Sequence, residues 1–337
     1  VNKVKVGILG AGHIAAVHAA LLKQDERVEI VGIADIFEDK AKELAAEAGP
    51  DVRTAGSIEE LIALGVDTVY VTTPNTMHVS PVLHCLKNNV NVFSEKPMAT
   101  SEEEARQIRD AARESKACYN LGMNRRYAYV YKKIKSYMDS GQLDAYSAHF
   151  KMNRGELLHP AWTSDPAKTG GFLYETPFHL MDLCRYYFGE VKKVKCEATQ
   201  AVSDSELDNF AILLTFESGL VMTFNTFAHS GWSFPFEAIE IYGKYSTAST
   251  AELETVKIAC GLEGEIDSSD YHLMPVSKKW GYEEEDRLFI DALVNGTEPP
   301  VNAEEAYKST FLLTSIYESA KTGEEINIAE QLNKVFS

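Results

Sequence analysis

At 337 residues the chain exceeds what one ordinary hydrophobic core fills, so two domains are expected. Apolar residues make up 45% and charged residues 25%, close to ordinary globular usage, and no stretch approaches the roughly 20 uninterrupted apolar residues of a membrane helix. A formal charge of −17, with no Lys/Arg run to segregate a basic patch, argues against nucleic acid as a partner.

The five cysteines (Cys85, Cys118, Cys184, Cys196, Cys260) lie far apart, odd in number and without a CxxC pair. That pattern predicts reduced thiols in the cytoplasm and excludes a disulfide framework or a zinc knuckle. The N-terminus shows neither a basic region nor an apolar stretch with a cleavage site, so no export is expected.

Along the chain, the first 121 residues alternate short apolar runs with amphipathic stretches, the grammar of βαβ units on a parallel sheet. Strands are predicted at Val4 to Leu9, Glu29 to Ala34, Thr68 to Thr72, Val90 to Ser94 and Ala117 to Leu121. Helices fall between them at Ile14 to Leu22, Glu38 to Glu47, Ile58 to Ala63, Val79 to Lys87 and Ser101 to Ser115, the last with Thr100 as its cap and acids in its opening turn. From Gly122 to the end, a second domain of longer strands alternates in period two, as a half-buried antiparallel sheet requires. Its strands are predicted at Ala145 to Asn153, Lys192 to Val202, Phe210 to Phe216, Leu220 to Phe227, Glu237 to Tyr242 and Thr255 to Ala259, with a hairpin turn at Glu217-Ser218-Gly219. Two helices close the chain: Glu283 to Val294, stopped by Asn295-Gly296, and Ala303 to Lys321, opened by Asn302 with Glu305 as a capping box and stopped by Gly323.

Directly after the first strand stands Gly10-Ala11-Gly12-His13-Ile14-Ala15, a GxGxxA turn opening a helix. The first glycine permits the tight turn, the second lets backbone approach a pyrophosphate, and small Ala15 lets helix pack on strand. Free N–H groups and the positive helix end then meet the phosphates, with His13 and Ile14 in the binding turn. A glycine turn serving packing alone is the competing account. The next strand ends in Asp35, about twenty residues on, where an acid holds ribose hydroxyls. Facing a 2′-phosphate at about 4 Å, that carboxylate would cost on the order of 4 kcal/mol per charge pair before screening. Ile36, Phe37 and Glu38 offer no cation to offset it, so NAD is expected over NADP. Asp35 as the cap of the helix from Glu38 is the alternative.

Ligands of open parallel sheets bind beyond the carboxyl ends of the strands. Two such places carry polar chemistry: Thr73-Pro74-Asn75 with His78, and Glu95-Lys96-Pro97, where proline fixes the lysine and allows a cis peptide. In the second domain, Gly170-Gly171 precedes Glu175-Thr176-Pro177-Phe178-His179 and Asp182. Thr176 as cap and Pro177 at the first helical position start a helix to about Phe188. His179 then sits in the opening turn, where the positive helix end favours a neutral ring able to take a proton, and Asp182 shares its face and could orient it. A buried hydrogen-bonding histidine is the competing account.

Together these residues resemble the glucose-fructose oxidoreductase / inositol 2-dehydrogenase / MocA-like (Gfo/Idh/MocA) family, nearly end to end. The resemblance rests on GxGxxA, Glu95-Lys96-Pro97, Gly170-Gly171 followed by an acid, His179 and Asp182, and on Gly122-Met123-Asn124-Arg125-Arg126-Tyr127. It implies a Rossmann domain followed by an α/β domain with a large, mostly antiparallel open sheet, often used for forming homodimers or homotetramers. It also implies hydride exchange between NAD and a sugar, cyclitol or similar polyol. Glu95 and Lys96 fall in the cofactor site, and Lys96, Glu175 and His179 at the reacting carbon: Lys96 polarises the oxygen and His179 takes the hydroxyl proton. Glu175 departs from the family's usual aspartate, and its extra methylene reaches about 1.5 Å further, enough to change which hydroxyl it binds. Asn124, Arg125, Tyr127, Arg154, His159, Trp162 and Lys168 are the candidate substrate contacts.

Rival accounts are a non-catalytic NAD-binding sensor, since fold does not fix function, and reduction of an imine or enal or oxidation of a dihydrodiol on the same fold. A sensor has no need for a proton-transfer pair. No metal is expected, because clustered Cys and His ligands are missing from the sequence.

Overall fold

Strands covered on both faces need near-continuous apolar runs, and the amino-terminal third supplies them in short segments separated by helices. The computed structural model describes residues 3–154 and 161–336. It gives β1 (Val4–Leu9), α1 (His13–Leu22), β2 (Val28–Ala34), α2 (Glu38–Ala48), β3 (Arg53–Ala55), α3 (Ile58–Ala63), β4 (Thr68–Val71), α4 (Val79–Lys87), β5 (Asn91–Ser94), α5 (Glu102–Glu114) and β6 (Tyr119–Leu121). The six strands form one parallel sheet in the order β3-β2-β1-β4-β5-β6. The chain turns outward in opposite directions from the β1/β4 pair, the switch point at which such sheets bind ligands. The three-residue β3 was not predicted, and α5 is capped by Ser101, not Thr100: the Ser101 hydroxyl accepts from the Glu104 amide at 3.3 Å.

After Met123 come α6 (Tyr129–Asp139), β7 (Ala145–Met152), α7 (Pro166–Thr169), α8 (Phe178–Phe188), β8 (Val191–Thr199), β9 (Asn209–Phe216), β10 (Val221–Phe227), β11 (Glu237–Gly243), β12 (Ser246–Ala251), β13 (Thr255–Cys260), β14 (Ile266–Asp270) and α9 (Val276–Lys279). The chain continues through α10 (Tyr282–Asn295), α11 (Ala303–Thr322), β15 (Ile326–Asn327) and α12 (Ile328–Phe336). The nine longer-range strands order as β14-β13-β12-β11-β7-β10-β9-β8-β15, antiparallel except where β10 runs parallel to β7. Helices α6, α7, α9 and α12 and strands β12, β14 and β15 add to the predicted set, and α11 is not the last helix.

Two compact units result, and the expected cut at 121/122 needs correction. The first unit holds residues up to Met123 together with Tyr282–Thr310, and the second holds Asn124–Gly281 with the chain from Phe311 on. The physical reason is α10. It inserts Phe289 and Ile290, both essentially buried, among Ile8, Ala19, Tyr70 and Phe93. Phe289 meets the stacked Tyr70–Phe93 pair edge-on to Tyr70 and tilted to Phe93, at 5.9 and 5.6 Å between ring centres. Burying side chains of this size is worth roughly 1.5–3 kcal/mol each, which holds α10 to a sheet formed far upstream in the chain. In the second unit one sheet face is apolar: Phe150, Ile212, Leu214, Met222, Phe224 and Ile241 alternate with exposed or half-buried neighbours. Among the described residues no helix is long and apolar enough to cross a membrane.

Candidate functional site

The glycine turn leaves the carboxyl end of β1. Gly10 has φ +97°, and a Cβ there would stand 2.8 Å from the Thr72 carbonyl oxygen beyond β4, so only glycine lets the two strand ends approach. Gly12 is different. Its backbone is ordinary, φ −87° and ψ −174°, and no described atom lies within 4 Å of where its Cβ would stand, chain neighbours aside. It is the N-cap of α1 with no side-chain cap, and the first turn of that ten-residue helix carries no acid. Open space, uncommitted amides and a positive helix end together suit a diphosphate.

Asp35 follows β2 and binds the turn itself: one carboxylate oxygen accepts from the Ala11 amide at 2.7 Å and the other from the Phe37 amide at 2.8 Å. Phe37, not Asp35, is the N-cap of α2. A carboxylate has about four acceptor positions, so two remain for ribose hydroxyls. Exposed Ile36 and Phe37 beside it offer an apolar surface to a planar base. His13 is exposed and Ile14 half-buried at the start of α1. These features fit NAD.

Beyond β4, Thr73 and Pro74 are half-buried, and buried Asn75 opens a 3-10 turn to exposed Met77. His78 requires correction. It is fully buried, with Nδ1 2.8 Å from the Pro97 carbonyl and Nε2 2.7 Å from the Thr73 carbonyl, so it ties two loops together and has no face left for cofactor. Burial pushes its pKa down.

Lys96 leaves β5 at the same edge of the sheet, and the Lys96–Pro97 bond is cis. Glu95 also departs from its expected place. Its side chain turns inward: Oε2 accepts from the Lys96 amide at 3.1 Å and Oε1 faces His18 Nε2 at 3.1 Å. On its other side His18 Nδ1 lies 2.8 and 3.0 Å from the two oxygens of Asp286, on α10. Burial opposes charge on His18, yet the two carboxylates outweigh it and hold the imidazole well above its usual range. Burial pushes Asp286 up, and neighbouring Glu285 well up. His18, Glu285 and Asp286 were not anticipated. No local pattern marks them, because the contact joins residues 268 apart.

In the second unit α8 begins at Phe178, one residue later than expected, with Pro177 as N-cap. Thr176 does not cap it; its hydroxyl receives Arg154 Nη1 at 3.2 Å. His179 still falls in the first turn, buried. Asp182 takes the Arg126 guanidinium through both oxygens, each at 2.6 Å. The segment before His179 is fastened by its own backbone: the Phe172 amide donates to Glu206 at 2.7 Å and the Leu173 amide to the Tyr317 hydroxyl at 3.0 Å. Glu175, half-buried, follows that anchored turn.

The remaining substrate candidates differ in what they touch. Arg125 is buried on Glu237 at 3.2 Å and under Trp280 at 4.8 Å, and Glu237 also accepts from the Tyr131 hydroxyl, which makes Arg125 part of an internal ion pair. Asn124 donates to the Trp280 carbonyl at 3.0 Å, and Tyr127 is buried. Lys168 is largely exposed and 3.5 Å from Asp165, while Trp162 is half-buried in a 3-10 turn. Arg154 is half-buried next to the start of α8. His159 lies outside the described residues. Among the described residues no cluster of three His, Cys, Asp or Glu side chains could hold a metal ion.

Comparison with known proteins agrees with this geometry. Residues 4–123 match the model of an oxidoreductase family with an NAD-binding Rossmann fold, and residues 140–328 match that family's C-terminal alpha/beta domain. The chain is similar to a myo-inositol 2-dehydrogenase of Thermotoga maritima, 22% identical over 97% of this chain and 99% of the relative, and to an inositol 2-dehydrogenase of Rhizobium meliloti, 24% identical over 97% and 99%. Its fold is similar to that of an oxidoreductase from Agrobacterium radiobacter solved with NAD+, L-tartaric acid and magnesium, with a TM-score of 0.87, 20% identity, and 98% and 100% of the two chains covered. The chain belongs to the Gfo/Idh/MocA family of oxidoreductases, with an NAD-binding Rossmann domain at its amino-terminal end.

Proposed function

We propose that the chain is an NAD-dependent dehydrogenase acting on a CH–OH group of a sugar, cyclitol or similar polyol. The observation that carries this reading is the carboxyl edge of one sheet, from which both the glycine turn after β1 and the Lys96 turn after β5 emerge. NAD, when bound, supplies the hydride acceptor. Lys96 stabilises the oxygen as it gains negative charge, an interaction stronger in the transition state than in the ground state. His179 takes the hydroxyl proton, and Glu175 binds a neighbouring hydroxyl. Arg154, held beside Thr176, is the cation we assign to further substrate contact. The inositol dehydrogenases among its relatives support a polyol substrate.

We assign the protein to the cytoplasm, in keeping with five free thiols. We assign it no nucleic-acid or membrane partner. A homodimer or homotetramer would form through the open face of the nine-stranded sheet, where Leu213, Val221 and Tyr242 are exposed apolar side chains.

The test follows reduced nicotinamide by absorbance while the protein is offered NAD with inositols, aldoses, sugar acids and sugar phosphates. Lys96→Ala should lower kcat by about two orders of magnitude or more and leave NADH affinity nearly unchanged, as loss of an electrostatic group at the developing charge does. Wild-type turnover by that variant would defeat the assignment.

A further inference from the structure

Charges this deep need a reason. Replacing a buried ion pair by well-packed apolar side chains is often neutral or stabilising, so packing alone does not call for His18, Glu95 and Asp286 inside the first unit. Their geometry suggests what does. Glu95 spends one oxygen on the Lys96 backbone amide and the other on His18, and His18 spends its second nitrogen on Asp286. A neutral imidazole has a single N–H and cannot donate to carboxylates on both sides, so the arrangement is that of an imidazolium between two acids.

We infer that His18 and Asp286 are positioning residues for Lys96: with Glu95 they form a buried clamp that joins α1, the turn after β5 and α10, and fixes where the lysine backbone stands. This rests on the dehydrogenase reading of Lys96. The clamp runs to the helix whose amino end receives the cofactor diphosphate, so the cofactor helix and the reactive lysine share one rigid frame. His18 is faced by Asp286 and Glu285 from α10, Phe93 from β5, Glu95 from the turn after it, Tyr70 from β4 and Tyr282 from the start of α10. With Glu285 pushed towards its neutral form by burial and by the neighbouring acids, one proton on His18 holds the set together.

The experiment compares wild type, Asp286→Asn and His18→Gln in two readouts. The first is steady-state kinetics with NAD and the preferred alcohol. The second is hydrogen–deuterium exchange at the Lys96 amide, with the Gly10–Ala15 turn as internal control. Both variants should lose roughly 10- to 100-fold in kcat, the scale of a misplacement of about 1 Å, with KM for NAD changed less than about threefold. Lys96 amide exchange should quicken by about tenfold, the loss of one bond to a charged acceptor, while the glycine turn stays as it was. A lowered melting temperature with kcat and Lys96 exchange both within about twofold of wild type would reduce the cluster to packing and overturn the inference. Should the wild type oxidise no alcohol, the dehydrogenase reading falls and exchange alone decides the clamp. Should a variant fail to fold, the wild type decides it: the exchange ratio of Lys96 to the glycine turn should rise with pH as His18 loses its proton, and a constant ratio would refute the clamp.

Discussion

Gly10 and Gly12 stand two residues apart in one turn, yet the structure gives an added methyl group opposite consequences at the two positions. At Gly12 an alanine meets no strain, since φ −87° and ψ −174° suit any residue and the space is open. As an N-cap it costs at most about 1 kcal/mol, and so roughly 2–4 °C in the melting temperature. The same methyl would stand where a phosphate must come to reach the amides of α1. Losing one or two charge-assisted hydrogen bonds at roughly 1.5–3 kcal/mol each weakens NADH binding by about 3 kcal/mol, or roughly a hundredfold in Kd. At Gly10 the order reverses. With φ +97° and a Cβ 2.8 Å from the Thr72 oxygen, an alanine pays for left-handed backbone and must push β4's end aside, about 3 kcal/mol in all and roughly 6–12 °C. Fluorescence titration with NADH and thermal melts of the two variants separate the effects. A Gly12→Ala protein that binds NADH within twofold of wild type would refute a diphosphate seated over that glycine.

Two further outcomes follow from charges already described. Asp35→Asn keeps the side chain's shape but removes the repulsion of a 2′-phosphate, on the order of 4 kcal/mol before screening. With Asp35 half-buried and screening partial, the ratio of kcat/KM for NADP to that for NAD should rise by about a hundredfold, and an unchanged ratio would show that another group selects the cofactor. The second concerns pH. His18 has its folded-state pKa raised, so its contribution to stability is full below its unfolded value near 6.5 and is lost as pH climbs through the folded value. Glu285 and Asp286, also raised, act in the same sense, whereas Glu95 is lowered and contributes fully at neutral pH. In thermal melts between pH 7 and 9, stability should fall towards the alkaline end by up to about 1.4 kcal/mol per pH unit for one proton, and His18→Gln should flatten the slope. A wild-type slope no steeper than the variant's would contradict the sign.

Local signals carried most of the fold. Apolar runs gave five of the six strands of the parallel sheet, and α3 and α4 fall on their predicted residues. Asn302 accepts from the Glu304 and Glu305 amides at 3.1 Å, as its position before α11 leads one to expect. The misses have physical causes. β12 reads Ser-Thr-Ala-Ser-Thr-Ala and β14 Ile-Asp-Ser-Ser-Asp, with little apolar alternation, and each exists because a neighbour's edge supplies its hydrogen bonds. α6 hides behind an aromatic, β-branched opening, Tyr-Val-Tyr, although Val130, Tyr131 and Ile134 share its buried face. At α8, Thr176 was a reasonable cap by type, but Arg154 claims its hydroxyl.

The site divides along the same line. The glycine turn and Asp35 are legible because each acts through its own backbone and the strand it follows. The residues around Lys96 are not, since what Glu95 does depends on His18, 77 residues earlier in the chain, and on Asp286, which reaches the sheet only because Phe289 and Ile290 on the same helix are buried there. Sequence spacing shows that α10 is amphipathic but not which core it enters. Once Phe289 is seated against Tyr70 and Phe93, Asp286, three residues earlier, faces the same interior and must find a positive partner. His18 is that partner, and the Asp286 and Glu95 carboxylates on its two sides hold its proton there against burial. A misreading of one apolar anchor therefore hides a whole chain of charges, which is why the assignment of α10 to the wrong domain and the omission of His18 are a single error.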